Sequence, residues 1–150
     1  MNAKELFGHW AEVRDGLLQA LNKLTDAQLE FVPRQGLWSL GTVARHIASA
    51  EEGWFRFAVT RELDEWPADY TAEDYPTVKS VKALLAEVHA RTEAYLATVD
   101  AADLDRLVAV PWGKEIPLRW IVWHVLEHEI HHRGEIFLML GLLGMEGPDI

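Results

Sequence analysis

Seven histidines and no cysteine stand in this chain of 150 residues. Four of the histidines, His124, His128, His131 and His132, crowd into the segment WHVLEHEIHHRGEIFLML. Imidazoles four residues apart on a helix lie one turn above each other and can bind the same divalent cation. Both 124/128 and 128/132 have that spacing, so helix geometry must choose between them. With His128 set at zero and roughly 100° advanced per residue, Ile121, Val125, His132 and Met139 fall at about +20 to +60°. His124 and His131 fall at about -40° and -60°, beside Trp120 and Glu127. The apolar stripe therefore carries His128 and His132 inward and leaves His124 and His131 on its rim.

A third donor must come from another helix. His46 shares a face with Val43, Ala50, Gly53, Trp54 and Phe57, and the small residues leave room around it. His9 and His89 sit at the flanks of their stripes and are weaker candidates. Three inward imidazoles without a metal would each need a hydrogen-bond partner, and coordination meets that need directly. Three neutral imidazoles also leave coordination positions open, which suits a catalytic site better than a closed structural one. Zinc is the first expectation, and nickel and ferrous iron also suit an imidazole set.

Four helices are predicted to position these residues, as an all-α four-helix bundle in one domain, residues 1–150. The first runs about Lys4 to Leu24, with Leu6, Trp10, Val13, Leu17, Leu21 and Leu24 on its buried face. Thr25 with Gln28 forms a capping box for a short turn. The second helix begins after Ser39, a good N-cap, and runs to about Arg61. The third runs about Thr77 to Val99 and the fourth about Leu118 to Leu143, ending in a glycine series. Residues 62–76 read as a loop, and LVAVPWGKEIPL as a short hairpin around Trp112-Gly113, with Pro111 arguing against it. Both connections are long enough to cross the bundle, so simple up-down-up-down order is not assured.

Composition removes several classes of function. The 14 basic residues are outnumbered by 24 acidic ones, for a formal charge of -10. Nucleic acid and anionic membrane are unexpected partners for such a chain. The absence of cysteine excludes disulfides, thiolate metal sites and a cysteine nucleophile. The first residues, MNAKELFGHW, lack a signal-peptide pattern, and no apolar run is long enough to span a bilayer, so a cytoplasmic protein is expected. The outer side of helix four carries Trp123, Leu126, Ile130 and Phe137. Apolar on both sides, that helix predicts a homodimer contact, with Gly134 and Gly141 permitting close approach.

His46 in a helix opening with Trp38-Ser39, followed by His128-x3-His132-Arg133-Gly134-Glu135, resembles the DinB/YfiT-like superfamily of metalloenzymes. The resemblance covers nearly the whole chain. It implies a left-handed four-helix bundle with crossover connections, commonly dimeric. It also implies nickel, zinc or a similar ion held by His46, His128 and His132, the three that the helical wheel selects. The motif often ends in Gln where this chain has Glu135. That acid lies near the metal face, where it either supports a ligand or faces solvent or a dimer partner. It is the one weak candidate for a catalytic acid or base.

Some members of the superfamily transfer a low-molecular-weight thiol, so the resemblance implies a small-molecule substrate and such a thiol as cosubstrate. The electrophile is expected against an aromatic wall near Trp54 and Phe57. Metal-assisted hydrolysis with Glu135 as base is the alternative enzymatic reading. A non-enzymatic stress-related protein that stores or senses metal, or sequesters a ligand, is the third.

Overall fold

The computed structural model describes residues 1–150. Its helices are α1 (Ala3–Leu6), α2 (Trp10–Asn22), α3 (Leu40–Glu52), α4 (Val78–Thr98) and α5 (Leu118–Leu142). Single turns of 3-10 helix at Asp26–Glu30 and Ala101–Asp105 punctuate the connections. The strands β1 (Leu107–Val110) and β2 (Lys114–Pro117) form one antiparallel hairpin. No helix is long and apolar enough to cross a membrane.

The long helices α2 to α5 form a four-helix bundle. Helices α2 and α3 each pack on both α4 and α5. Helices consecutive in the chain, α2 and α3 and then α4 and α5, thus lie across the diagonals, and long connections carry the chain over. Of the two connections expected to be able to cross, the one before α5 does, whereas residues 62–76 join the neighbouring α3 and α4, and the other crossing is made by residues 23–39 between α2 and α3.

The N-caps expected from sequence are in place. Ser39 accepts a hydrogen bond from the Thr42 amide at the start of α3. Thr25 and Gln28 form their capping box. Pro111 sits in the turn between β1 and β2, where it removes no ladder bond, so the hairpin forms despite it.

The first predicted helix is corrected. It is broken at residues 7–9, and Leu6 is exposed rather than buried. The break follows from tertiary anchoring. The Ala3 amide donates to the Val99 carbonyl, and Asn2 bridges to Asp100, so α1 is tied to the end of α4. Helix α2 is instead oriented by its own stripe of Trp10, Val13, Leu17 and Leu21, all buried.

The core has two apolar halves separated by a charged layer. One half includes Leu17, Ile47, Leu85 and Ile136, and the other Val13, Phe55, Leu96 and Val125. Between them lie Arg14, Glu51, His89, Thr92 and Glu129, all buried. Arg14 donates from Nε to Glu129 at 2.7 Å and from Nη2 to Glu51 at 2.8 Å. The Trp10 indole donates to Glu129 at 2.7 Å, and His89 Nδ1 lies 2.8 Å from Glu51. Burial alone would push the Glu51 carboxyl up, but Arg14 and His89 outweigh it and hold the carboxyl below its ordinary range. Buried charges persist when every one is paired in this way.

Candidate metal centre

Helix α3 presents His46, and α5 presents His128 and His132, to one point at the edge of the bundle. The Nε2 atoms of His46 and His128 lie 3.1 Å apart. One nitrogen from each of the three rings lies within 4.8 Å of the others. Two imidazole nitrogens bound to one tetrahedral zinc would be separated by about 3.3 Å, from zinc–nitrogen distances of 2.0–2.1 Å. The arrangement is close to that geometry without large movement of the backbone.

The protonation chemistry of the cluster suits a cation. Burial, and then the neighbouring His132, His46, His124 and His131, pushes the His128 imidazole down to about 3. Burial and His132 lower His46 as well, partly opposed by Asp69 and Glu135. Both rings therefore keep their lone pairs at neutral pH. His46 Nδ1 is buried without a hydrogen-bond partner, with the Asp69 carboxylate 3.9 Å away. Neutral imidazoles packed this closely fit a metal, which would take the place of the hydrogen now shared between the two Nε2 atoms.

Neighbours fix the orientation of the rings. Glu135 Oε2 lies 2.7 Å from His132 Nδ1. Accepting a hydrogen bond from an Nδ1–H there leaves the Nε2 lone pair for a ligand, the usual role of a carboxylate behind a metal-binding histidine. His131 Nε2 also reaches Glu135, at 3.3 Å, but His131 is exposed. Trp38 lies edge-on to His46 with ring centroids 4.8 Å apart, and nearly parallel to His132 at 6.4 Å. That position follows from the start of α3, because Trp38 immediately precedes the Ser39 cap.

The remaining histidines stand elsewhere. His124 stacks on Trp120, with centroids 4.7 Å apart, and lies against Trp54. His9 is exposed, and His89 belongs to the charged core layer. Sequence reasoning missed that layer. A signal was present, since Arg14, Glu51 and Glu129 lie next to inward positions of their helices. The pairing that buries them joins residues far apart in the chain.

An open cavity of about 400 Å³ borders the centre. His132 and Glu135 form its polar part, and Pro33, Leu37, Trp38, Val43, Leu138, Met139 and Leu142 form the rest with Gly36. Trp54 and Phe57, expected from sequence to form the aromatic wall, do not line it. They pack instead with Trp66, which itself approaches Trp112. The π-helical continuation of α3, Gly53–Val59, carries both residues. Gly53 admits Trp66 so closely that an added Cβ would lie 2.4 Å from its ring.

Comparison with known proteins agrees with this reading of the fold. Residues 9–136 match the DinB superfamily. A relative from Bacillus subtilis (strain 168), named "Putative metal-dependent hydrolase YfiT", is 30% identical, over 93% of this chain and 88% of its own. The structure of YfiT, described as an unusual four-helix bundle topology, superposes with a TM-score of 0.74 at 25% identity, covering 96% of this chain and 89% of that one. A DinB-like protein from Bacillus cereus ATCC 10987 superposes with a TM-score of 0.79 at 22% identity, covering 99% and 97%. Matched over most of its length in sequence and in fold, the chain belongs to the DinB superfamily.

Proposed function

We propose that this protein is a metal-dependent enzyme that holds one divalent transition metal, zinc or nickel before iron, at His46, His128 and His132. The observation that carries this reading is the convergence of three imidazoles, from helices remote in sequence, at the edge of an apolar cavity. The name of the YfiT relative, a metal-dependent hydrolase, supports the metal.

The finer reading is transfer of a low-molecular-weight thiol to an electrophile. A divalent cation lowers the pKa of a coordinating thiol enough to release its proton. In the reaction the thiolate sulfur forms a bond to the electrophilic carbon as that carbon's bond to a halide breaks, the halide leaving with the electron pair, or as its bond to an epoxide oxygen breaks, that oxygen keeping the pair and taking a proton from solvent. The thiol proton goes to solvent. The chain itself supplies the imidazole cradle, the Glu135 contact that orients His132, and an apolar surface that excludes water from the electrophile. Without cysteine, it must take the thiol from a cosubstrate.

Hydrolysis is the second reading, favoured by the name of the YfiT relative. It asks for a base, and Glu135 is already engaged with His132 at 2.7 Å. That engagement favours thiol transfer, which needs no carboxylate base. A panel of thiols, including bacillithiol and mycothiol, against haloaromatic and epoxide electrophiles separates the two. Conjugate formation by metal-loaded protein, absent in His128→Ala, is expected. Ester or amide hydrolysis without any conjugation would overturn thiol transfer. We also propose a homodimer through the outer face of α5. Trp123 and Ile130 are exposed there, and Gly134 and Gly141 face open space. Leu126 is buried within the chain and takes no part. A monomer by light scattering at micromolar concentration would refute the dimer.

A further inference from the structure

Four large apolar side chains converge on the cavity beside His132 while remaining at least half exposed: Leu37 at 57%, Trp38 at 50%, Leu138 at 66% and Leu142 at 59%. They come from two separate elements, the segment before α3 and the last turns of α5. Val43 and Met139, both buried, complete the apolar lining, and the polar groups among the lining side chains are His132 and Glu135. A volume of about 400 Å³ lies within the range of small-molecule sites. A dry cavity of about 150 Å³ already takes a benzene ring. The occupant must therefore be apolar along most of its length and polar at one end.

We propose that this cavity holds the apolar body of the substrate, a chain or fused ring of about the size of an octyl group, with its reacting end against His132. The proposal rests on the metal reading of the same site and adds the substrate class. It assigns Leu37, Trp38, Leu138 and Leu142 to substrate selection, a role that the tryptophan cluster around Trp54 does not share. A small molecule fits better than a second copy of the chain, because the ionisable groups lining the cavity, His132 and Glu135, also belong to the proposed metal centre.

The test uses a ladder of n-alkyl hydroxamates, from acetyl to octanoyl, titrated by calorimetry into zinc-loaded protein. The hydroxamate head binds metal, and the tail reports the cavity. Each buried methylene is expected to raise affinity by roughly two- to fourfold. Leu138→Gln and Leu142→Gln should flatten that rise of affinity with tail length. Both positions are exposed, and circular dichroism checks that the variants fold. A second arm titrates 1-octanol into metal-free protein and follows the methyl NMR signals of Leu138, Met139 and Leu142, which should shift. A flat hydroxamate series with acetohydroxamate still bound overturns the cavity proposal and leaves the metal reading standing. No hydroxamate binding at all, with the methyl signals still shifting, removes the metal reading and keeps the apolar site. Silent methyl signals, with Leu138→Gln converting a dimer to a monomer, would assign the face to a second copy and overturn the proposal.

Discussion

Replacing Glu135 tests how the centre is oriented. Its carboxylate lies 2.7 Å from His132 Nδ1, short enough for a strong bond to an ionised acceptor. Loss of such a partner behind a metal-binding histidine typically costs ten- to a hundredfold in metal affinity, or about 1.4–2.7 kcal/mol. The Glu135 side chain is 41% exposed, so water can replace part of the contact. The expected loss for Glu135→Ala is therefore nearer the lower end, about ten- to thirtyfold. Glu135→Gln keeps a neutral acceptor of roughly half the strength and should lose only a few-fold. Competition against a chromophoric zinc chelator at neutral pH measures both. Unchanged affinity in the alanine variant would refute the orienting role. A loss beyond about a thousandfold would refute it in the other direction, since that exceeds what an outer partner contributes and would make Glu135 itself a ligand.

Other consequences are equally open to measurement. Arg14→Met leaves the Glu51 and Glu129 carboxylates buried without their cation, and should destabilise the fold by about 3–5 kcal/mol in urea unfolding. In the native protein the depressed Glu51 carboxyl contributes stability that is present above its ordinary value of 4.5 and is lost as pH falls through the lowered folded value. In Arg14→Met burial should instead raise that carboxyl, so the variant should gain stability on mild acidification. Parallel pH profiles of the two proteins would contradict this. Gly53 has an ordinary helical φ of -62, where alanine alone would stabilise by about 0.8–1 kcal/mol. The new methyl would lie 2.4 Å from the Trp66 ring, and overpacking costs about 1–3 kcal/mol. Gly53→Ala should thus lower Tm and speed hydrogen exchange across residues 62–76, and a raised Tm would refute the close packing.

The histidine centre was legible in the sequence because the direction of a helical side chain follows from its residue number. One wheel places His128 and His132 in the stripe and His124 on the rim, and in the structure the nitrogens of His128 and His132 lie within 4.8 Å of His46 while His124 stacks on Trp120. The caps at Thr25 and Ser39 were legible for the same reason, since each bond closes within three residues. The charged core layer was not. Arg14, Glu51, His89 and Glu129 come from four helices, and their places beside the inward stripes do not reveal that they pair with one another across the core. The break before Trp10 depends on bonds from Ala3 and Asn2 to residues almost a hundred positions away. The cavity also escaped the sequence, because it lies between the end of α5 and a segment before α3 that has no periodicity. An aromatic wall was expected on the helix that bears His46, yet π-helical turns and the approach of Trp66 draw Trp54 and Phe57 into another cluster.

The central claim is that three imidazoles hold one metal ion. Elemental mass spectrometry on untagged protein, beside the triple variant His46→Ala, His128→Ala, His132→Ala, measures it directly. The account predicts about one zinc or nickel per chain in the native protein and none in the variant, with both folded by circular dichroism. Native protein that holds no metal even after zinc is added, or a variant that keeps the full complement, would contradict it.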